Sequence, residues 1–151
     1  MTARMKNPAS YFSDAQSLLP TLGQVPRGKG VDDETLELLH FRVSQINGCA
    51  WCLDFGRRTA EKAGMSSEKL ALLPAWREAT CYTDAQRAAL ALAEAMTRLA
   101  DRPDAVDDAI WADVEQHFGE EQLAAIVLWV ATTNLFNRLN VTVRQVPGTW
   151  S

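Results

Sequence analysis

The sequence lacks several features that define whole classes of protein. Its longest apolar run, 123-LAAIVLWVATTNLF-136, is too short and too interrupted for a membrane-spanning helix. Its basic residues form no stripe and the net charge is -4, so we expect neither a membrane nor a nucleic acid as a partner. The segment 1-MTARMKNPASYFSDAQ-16 has no apolar signal core. We therefore expect a cytoplasmic protein.

Cysteine and histidine are scarce, with three and two copies in 151 residues. Structural disulfides are rare in the cytoplasm, where a close cysteine pair is more often catalytic, redox-active or metal-binding. A zinc site built on Cys49 and Cys52 would need a second short-spaced pair of ligands, and only Cys81, His40 and His117 remain. We expect no metal. Cys81 has no close partner and is interpreted as a small buried apolar residue.

Strand-type alternation is also missing, and the periodicity is helical throughout. Hydrophobic residues make up 47% and charged residues 23%, which is typical of a globular chain, and the length predicts a single domain over residues 1–151. We predict an all-α fold of six to seven helices. The last helix is apolar on more than one face, which places it at the centre of a core or at a subunit interface. Together with five tryptophans, this favours an oligomer.

Local signals set the expected helix boundaries. Asp32 or Asp33 caps a helix, Asn47-Gly48 ends it, and Thr83 with Gln86 forms a capping box for a later one. The expected helices cover, in order, residues 8–23 with an interruption near Pro20, then 33–45, 49–62, 67–73, 84–100, 106–118 and 120–143.

The stretch 45-QINGCAWCLDFGRR-58 puts two cysteines at the start of a helix. Cys49 and Cys52 are one turn apart, close enough to form a small disulfide ring. The free N–H groups and the positive dipole end of a first turn stabilise a thiolate, which makes it a better nucleophile near neutral pH. Such a pair can cycle between dithiol and disulfide. The alternative is a pair of inert buried cysteines.

Glu37 lies twelve residues before Cys49, on the preceding helix. A tight turn joins the two helices, so an acid on the inner side of the first could reach the cysteines on the second. A partly desolvated carboxylate near a thiol can take up and return its proton. The alternative is an ordinary solvated glutamate, which the spacing alone does not exclude.

These residues resemble a family. The run 37-ELLHFRVSQINGCAWCLDFGRRTAEKAG-64 looks like the signature of the AhpD-like, carboxymuconolactone decarboxylase superfamily. The likeness continues to residue 99, giving a motif core of 31–100, and returns faintly over 133–148. It implies an all-helical AhpD-like fold that assembles as trimers or hexamers. In the AhpD branch, the dithiol reduces peroxides weakly and passes electrons from a lipoyl-bearing partner to a peroxiredoxin.

The resemblance assigns the catalytic glutamate to Glu37 and the redox pair to Cys49 and Cys52, with Cys52 as the attacking thiol. The dipole argument by itself favours Cys49. The family's relay histidine, four residues after the second cysteine, falls on Gly56, and a histidine that some members carry between the cysteines falls on Trp51.

Three interpretations of the missing histidine follow. In the first, Glu37 and a water in the gap beside Gly56 manage the proton. In the second, His40 substitutes, since it follows Glu37 by three residues on nearly the same helical face. In the third, the relay is lost and the fold serves another purpose. If the site is otherwise complete, a histidine placed at Gly56 should raise peroxidase activity.

The leading hypothesis is a cytoplasmic antioxidant enzyme, a thiol–disulfide oxidoreductase that reduces a hydroperoxide or a partner disulfide. It would need no cofactor, and its partner would be a thiol donor or a peroxiredoxin-type protein. The second is a lactone decarboxylase of the same superfamily, a branch that does not depend on a cysteine pair. The third is a non-catalytic oligomeric binding or stress-response module whose dithiol is a sensor or a relic.

Overall fold

The structure, a computed structural model, describes residues 2–149, and this part of the chain is helical without any β-strand. The all-α class is therefore confirmed. A short 3₁₀ helix, Pro8–Tyr11, comes first, and a second, Leu73–Ala75, follows the fourth α-helix. The α-helices of the described residues are α1 (Ser13–Gln24), α2 (Asp33–Asn47), α3 (Ala50–Lys62), α4 (Ser67–Leu72), α5 (Asp84–Thr97), α6 (Asp108–Glu115) and α7 (Glu120–Val143).

The capping residues act where the sequence predicts. The Asp32 carboxylate accepts the backbone N–H of Thr35 at 2.7 Å and begins α2. The hydroxyl of Thr83 and the side chain of Gln86 cap α5 reciprocally. Gly48 ends α2 in the left-handed conformation with φ of 67°, which costs glycine nothing because it has no Cβ.

Three helices differ most from the prediction, namely α1, α5 and α6. The break in the expected segment 8–23 falls at the extended residue Phe12, and α1 passes through Pro20 without interruption. Pro20 leaves the carbonyl of Gln16 without its helical donor, which is tolerable because Gln16 is exposed to water. Helices α5 and α6 are shorter than expected, since α5 ends at Thr97, and α6 begins only at Asp108 and ends already at Glu115.

Helix α2 lies at the centre of the molecule, packed against α3, α5 and α7. Its residues Leu36, Leu39 and Val43 follow the three-and-four spacing of one helix face and are fully buried, while Ile46, next on that face, is partly buried. Helix α7 contacts α1, α2, α3, α5 and α6, which puts it in the core as well. The indole of Trp129 on α7 donates to the Leu36 carbonyl at 2.7 Å and joins the two central helices. None of the helices in residues 2–149 has the length and apolarity needed to cross a membrane.

Candidate dithiol site

A two-residue turn between α2 and α3 sets the position of the cysteine pair. Beyond Gly48, the backbone N–H of Cys49 returns to the Ser44 carbonyl at 2.9 Å. Cys49 is then the N-cap of α3, and its sulfur accepts the backbone N–H of Cys52 at 3.3 Å. The two sulfurs are joined as a disulfide, with 5.3 Å between the Cα atoms. The predicted pair at a helix start is therefore present.

Both cysteines are buried, each with 1% of its surface exposed. Two aromatic residues in the first turns of α3, Trp51 and Phe55, stack nearly parallel with ring centroids 5.5 Å apart. The Trp51 indole also donates to the backbone carbonyl of Thr149 at 2.9 Å, so the C-terminal end of the described chain lies against the first turn of α3. The two aromatic rings pair with each other beside the dithiol.

Glu37 is buried on the inner side of α2, so it is not the solvated glutamate of the alternative interpretation. Its Oε2 accepts the hydroxyl of Thr59 on α3 at 2.7 Å, and its Oε1 accepts Nη2 of Arg27 at 2.5 Å. The glutamate therefore does face α3. It meets that helix two turns beyond the cysteines, and its two oxygens are bonded to Thr59 and Arg27.

Arg27 was not identified from the sequence, because it stands in the turn-rich loop before α2. Its guanidinium lies 5.1 Å from the ring centroid of Trp129 and pairs with Asp33 at 3.0 Å as well as with Glu37. Burial favours the neutral form of Arg27, but the hydrogen bonds and charges of Glu37 and Asp33 outweigh it and raise the pKa. Arg27 stays cationic against the glutamate.

His40 fills the space that the missing imidazole leaves at Gly56. A Cβ on Gly56 would lie 3.0 Å from Cδ2 and 3.1 Å from Nε2 of His40, and 3.2 Å from a ring carbon of Phe41. The expected gap for a water beside Gly56 is therefore wrong, because the His40 ring occupies it. The histidine enters from α2 instead of α3, and a side chain at position 56 would force its ring to shift.

The hydrogen bond of His40 sets its tautomer. Its Nε2 lies 3.0 Å from the backbone carbonyl of Cys52. A carbonyl only accepts, so Nε2 carries the proton, and in the neutral ring the other nitrogen is the base. Burial lowers the pKa of His40, against the opposing effect of the Glu37 charge, so the ring is neutral near pH 7. His40, which sequence reasoning offered as a substitute relay, is brought to the backbone of Cys52.

An asparagine on α7 also contacts the site and was not identified from the sequence. The amide nitrogen of Asn140 lies 3.4 Å from the sulfur of Cys52, and its amide oxygen accepts Nδ2 of Asn7 at 2.9 Å. Asn140 follows Cys52 by 88 residues, too far for any spacing rule to connect the two.

The other candidate ligands and thiols lie apart from one another. Within residues 2–149, no group of three or more histidine, cysteine, aspartate or glutamate side chains is arranged to hold a metal ion. Cys81 is a free cysteine, half-buried and packed against the hydrophobic core next to Tyr82. It is more exposed than the sequence interpretation expected.

Comparison with known proteins identifies the same fold and sequence pattern elsewhere. The model of the carboxymuconolactone decarboxylase family matches residues 15–95. The uncharacterised protein YdfG of Bacillus subtilis is 30% identical over 140 residues, which cover 91% of this chain and 94% of YdfG. The alkyl hydroperoxide reductase AhpD of Nocardia farcinica is 47% identical over 45 residues, 30% of this chain and 25% of that protein.

Solved structures share the architecture. A protein of unknown function from Agrobacterium tumefaciens, proposed to be an AhpD-type antioxidant defence protein, superposes with a TM-score of 0.89 at 27% identity, covering 98% of this chain and 99% of that one. The debrominase Bmp8 superposes with a TM-score of 0.82 at 19% identity, over 93% of this chain and 75% of Bmp8. The second likeness concerns the fold alone.

Proposed function

The chain belongs to the carboxymuconolactone decarboxylase family, with an AhpD-like fold, and from this premise we propose that it is a thiol–disulfide oxidoreductase of the AhpD type. It would reduce a hydroperoxide or a partner disulfide through Cys49 and Cys52. The observation that carries the proposal is the buried cysteine pair at the start of α3, joined as a disulfide, in which each sulfur lies next to an N–H donor. A decarboxylase of this family has no need for such a pair.

With a hydroperoxide, the Cys52 thiolate attacks one peroxide oxygen. A sulfur–oxygen bond forms, the oxygen–oxygen bond breaks, and the leaving alkoxide takes a proton and departs as an alcohol. The Cys49 thiol then loses its proton and attacks the Cys52 sulfur, so that a disulfide forms and the hydroxyl leaves as water. Two thiols give up two electrons and two protons for each hydroperoxide reduced.

With a protein disulfide, the same thiolate attacks one partner sulfur and releases the other as a thiolate. Cys49 resolves the mixed disulfide and releases the second partner thiolate. The electrons are held by the two cysteines, so the reaction requires no metal, haem or flavin of the protein's own. A small dithiol or a thiol-donor protein must return Cys49–Cys52 to the reduced state, and a peroxiredoxin-type protein is the expected acceptor. A reducing cytoplasm is the location in which we expect this cycle.

The proton that leaves a thiol and the proton that the alkoxide gains need a carrier. We assign this task to Glu37 and His40. His40 is neutral, bonds the backbone of Cys52 and follows Glu37 by one turn of α2, so the two side chains form a short path for a proton beside the dithiol. In this proposal His40 takes the part that the family gives to the histidine at the position of Gly56.

We also propose that the protein assembles as a trimer or hexamer. Large apolar side chains are exposed before and on α1: Tyr11, Phe12 and Leu18 are 56%, 68% and 63% exposed. Burying such side chains against another copy would remove apolar surface from water. Light scattering after gel filtration tests this, and a mass near 16.7 kDa at micromolar concentration contradicts it.

Turnover of cumene hydroperoxide, and separately of an aromatic disulfide, with a dithiol as reductant is the test of the proposed function. Cys52→Ser should abolish both activities and leave the circular dichroism spectrum unchanged. Cys81→Ser is the matched control, since that thiol lies outside the dithiol site, and it should keep the wild-type rate. Turnover by Cys52→Ser at the wild-type rate would remove the dithiol from the reaction. A lack of turnover by the wild type would favour a non-catalytic module instead.

A further inference from the structure

Three asparagines on α7 stand three residues apart, at 134, 137 and 140, and the structure buries all of them. Two have structural partners on α2. The amide oxygens of Asn134 and Asn137 both accept from Asn47 at 2.9 Å, and Asn137 donates to the hydroxyl of Ser44 at 3.0 Å. These bonds join α7 to the end of α2. Asn140 differs, because its amide donates to a reactive atom.

The direction in which the Asn140 amide points is determined by a chain of hydrogen bonds that begins at a backbone group. The N–H of Ala9 can only donate, and it lies 3.0 Å from the side-chain oxygen of Asn7. The amide nitrogen of Asn7 must therefore face Asn140, at 2.9 Å, and it needs an acceptor there. Asn140 consequently turns its oxygen to Asn7 and its nitrogen to the sulfur of Cys52.

The segment that carries Asn7 is attached to the same end of α7. The backbone N–H of Arg4 donates to the Val143 carbonyl at 2.8 Å, and the Arg4 guanidinium donates to the Thr142 carbonyl at 3.1 Å. Two bonds to backbone thus hold the N-terminal segment where Asn7 meets Asn140. Asn140 is 4% exposed and Cys52 is 1% exposed, so little water competes for the contact between them.

We propose that Asn140 is a catalytic residue that donates a hydrogen bond to the Cys52 thiolate, and that Asn7 is the positioning residue that keeps this donor aimed at the sulfur. The inference rests on the proposed function, because it concerns the reduced form of the same dithiol. A buried anion needs a donor, and a hydrogen bond to a charged acceptor is about twice as strong as one to a neutral acceptor. The amide therefore stabilises the thiolate more than it stabilises the neutral thiol or the disulfide.

The same contact distinguishes the two cysteines. The sulfur of Cys49 lies beside the N–H of Cys52, at the dipole end of α3. That donor belongs to the backbone and serves whichever side chain caps the helix. The sulfur of Cys52 has a side-chain donor from another helix, held in place by a third segment. Asn140 thus supplies a physical reason for Cys52 to be the attacking thiol, where the helix dipole alone favours Cys49.

The test measures the thiol itself and needs no substrate. In a Cys49→Ser/Cys81→Ser background, Cys52 is the single cysteine, and its thiolate absorbance near 240 nm is followed against pH. Asn140→Leu removes the donor at similar volume and should raise the Cys52 thiol pKa by about one unit, the size expected for one bond to a charged group. Asn140→Asp retains the shape and the acceptor for Asn7 but removes the donor, and it should raise the pKa at least as much.

Asn7→Asp keeps the acceptor for the Ala9 N–H and removes the donor to Asn140, so it should move the Cys52 thiol pKa in the same direction by a smaller amount. Asn134→Leu is the matched control, since it deletes another buried amide of α7, one that does not contact the sulfur. It should lower the unfolding midpoint and leave the thiol pKa unchanged. In proteins that retain Cys49, the rate of Asn140→Leu should fall about tenfold at neutral pH and recover as pH rises above the shifted pKa.

The inference fails if both Asn140 variants titrate like the parent, or if Asn134→Leu shifts the thiol pKa as far as they do. It also fails if the rate of Asn140→Leu stays low at high pH, since a loss of thiolate is then not the cause. The proposed function fails on different evidence, namely the absence of turnover by the wild-type protein. If Asn140→Leu does not fold, Asn140→Asp, which changes a single group, decides the outcome.

Discussion

Glu37 on α2 and Glu94 on α5 are the two buried glutamates among the described residues, and their surroundings differ in kind. Glu94 is enclosed by cations: Arg42 at 2.5 Å, Arg77 at 2.7 Å and Arg98 at 3.8 Å, with the indole of Trp76 donating at 2.9 Å. Burial alone would raise the pKa of Glu94, but the hydrogen bonds from Trp76, Arg77 and Arg42 outweigh it and lower the pKa. This carboxylate is held charged.

Glu37 has one cation, one hydroxyl and a neutral histidine one turn along its helix. Beyond that histidine is the backbone of Cys52. The difference shows that burial of an acid does not by itself mark a functional site. Glu94 joins α2 and α5 through an ion cluster that has no group able to exchange a proton near pH 7. Glu37 stands beside such a group and, through it, beside the cysteine that we propose as the nucleophile.

The largest effect expected from the comparison is on stability at Glu94. Glu94→Gln leaves Arg42, which is 13% exposed, without its charge partner, and breaking such a buried pair costs about 3 kcal/mol. Urea unfolding should show this loss, while the activity per folded molecule stays at the wild-type level. A variant as stable as the wild type would mean that solvent already screens the cluster.

Glu37→Gln should instead lower the activity strongly and the stability only slightly. Removing a group that takes part in proton transfer lowers a rate by about 100-fold or more, whereas the lost pair with Arg27, which is 25% exposed, costs less stability than the pair at Glu94. Turnover of hydroperoxide against pH, together with urea unfolding, separates the two effects. Equal rates for Glu37→Gln and the wild type would reduce Glu37 to a structural residue like Glu94.

A smaller effect is expected from changing the contact between Gly56 and His40, the histidine next to Glu37. Gly56→His by itself should destabilise the protein by about 2 kcal/mol, because its Cβ meets the His40 ring. The notion that a histidine at Gly56 raises activity therefore applies only when His40 is removed as well. The double variant His40→Ala/Gly56→His should recover much of the stability that Gly56→His loses. It should also recover much of the activity that is lost when His40 is removed.

A matched control for that test lies in α1. Gly23→Ala also replaces a helical glycine, but its Cβ would be 3.5 Å from the Phe136 ring, an ordinary contact. It should gain up to about 1 kcal/mol from helix propensity. If the double variant is no more stable than Gly56→His alone, His40 is not what excludes a side chain there.

The smallest expected effects are losses of stability over two pH ranges. The pKa of His40 is lowered in the folded state, so the unfolded chain binds a proton at a higher pH than the folded chain. Stability should therefore fall as pH drops below about 6.5, with a slope of up to about 1.4 kcal/mol per pH unit. The pKa of Glu94 is lowered too, so its contribution is present above about pH 4.3 and is lost as pH falls through the folded-state pKa.

Urea unfolding between pH 3 and 8 checks both windows. His40→Gln keeps a donor for the Cys52 carbonyl and should remove the window below pH 6.5. Glu94→Gln should keep that window and lose the acidic one. If His40→Gln retains the fall below pH 6.5, another group is responsible for it.

Much of this architecture could be predicted from local signals. The caps at Asp32 and Thr83 act within one turn, and the turn at Gly48 connects neighbouring residues. The order and type of the helices followed from such signals, as did the place of Cys49 at a helix start. The break expected near Pro20 is absent, because the cost of a proline depends on whether the freed carbonyl is buried, which local sequence does not show.

The partners of the site residues could not be predicted in this way. Arg27 comes from a loop without regular periodicity, and Asn140 and Asn7 are far from Cys52 in the chain. The family resemblance places a missing imidazole at Gly56. Another histidine, His40, fills that place, and only the packing of α2 against α3 brings it there.

The sequence by itself determined the helices, their caps and the cysteine pair that opens α3, because each depends on hydrogen bonds and dihedral preferences within a few residues. The tertiary structure alone decided that Glu94 is enclosed by arginines while Glu37 stands beside a histidine. It also decided that Cys52 is the cysteine that receives a side-chain hydrogen-bond donor. Those properties depend on groups that come from distant parts of the chain, and the packing of α2, α3, α5 and α7 brings them within hydrogen-bond distance.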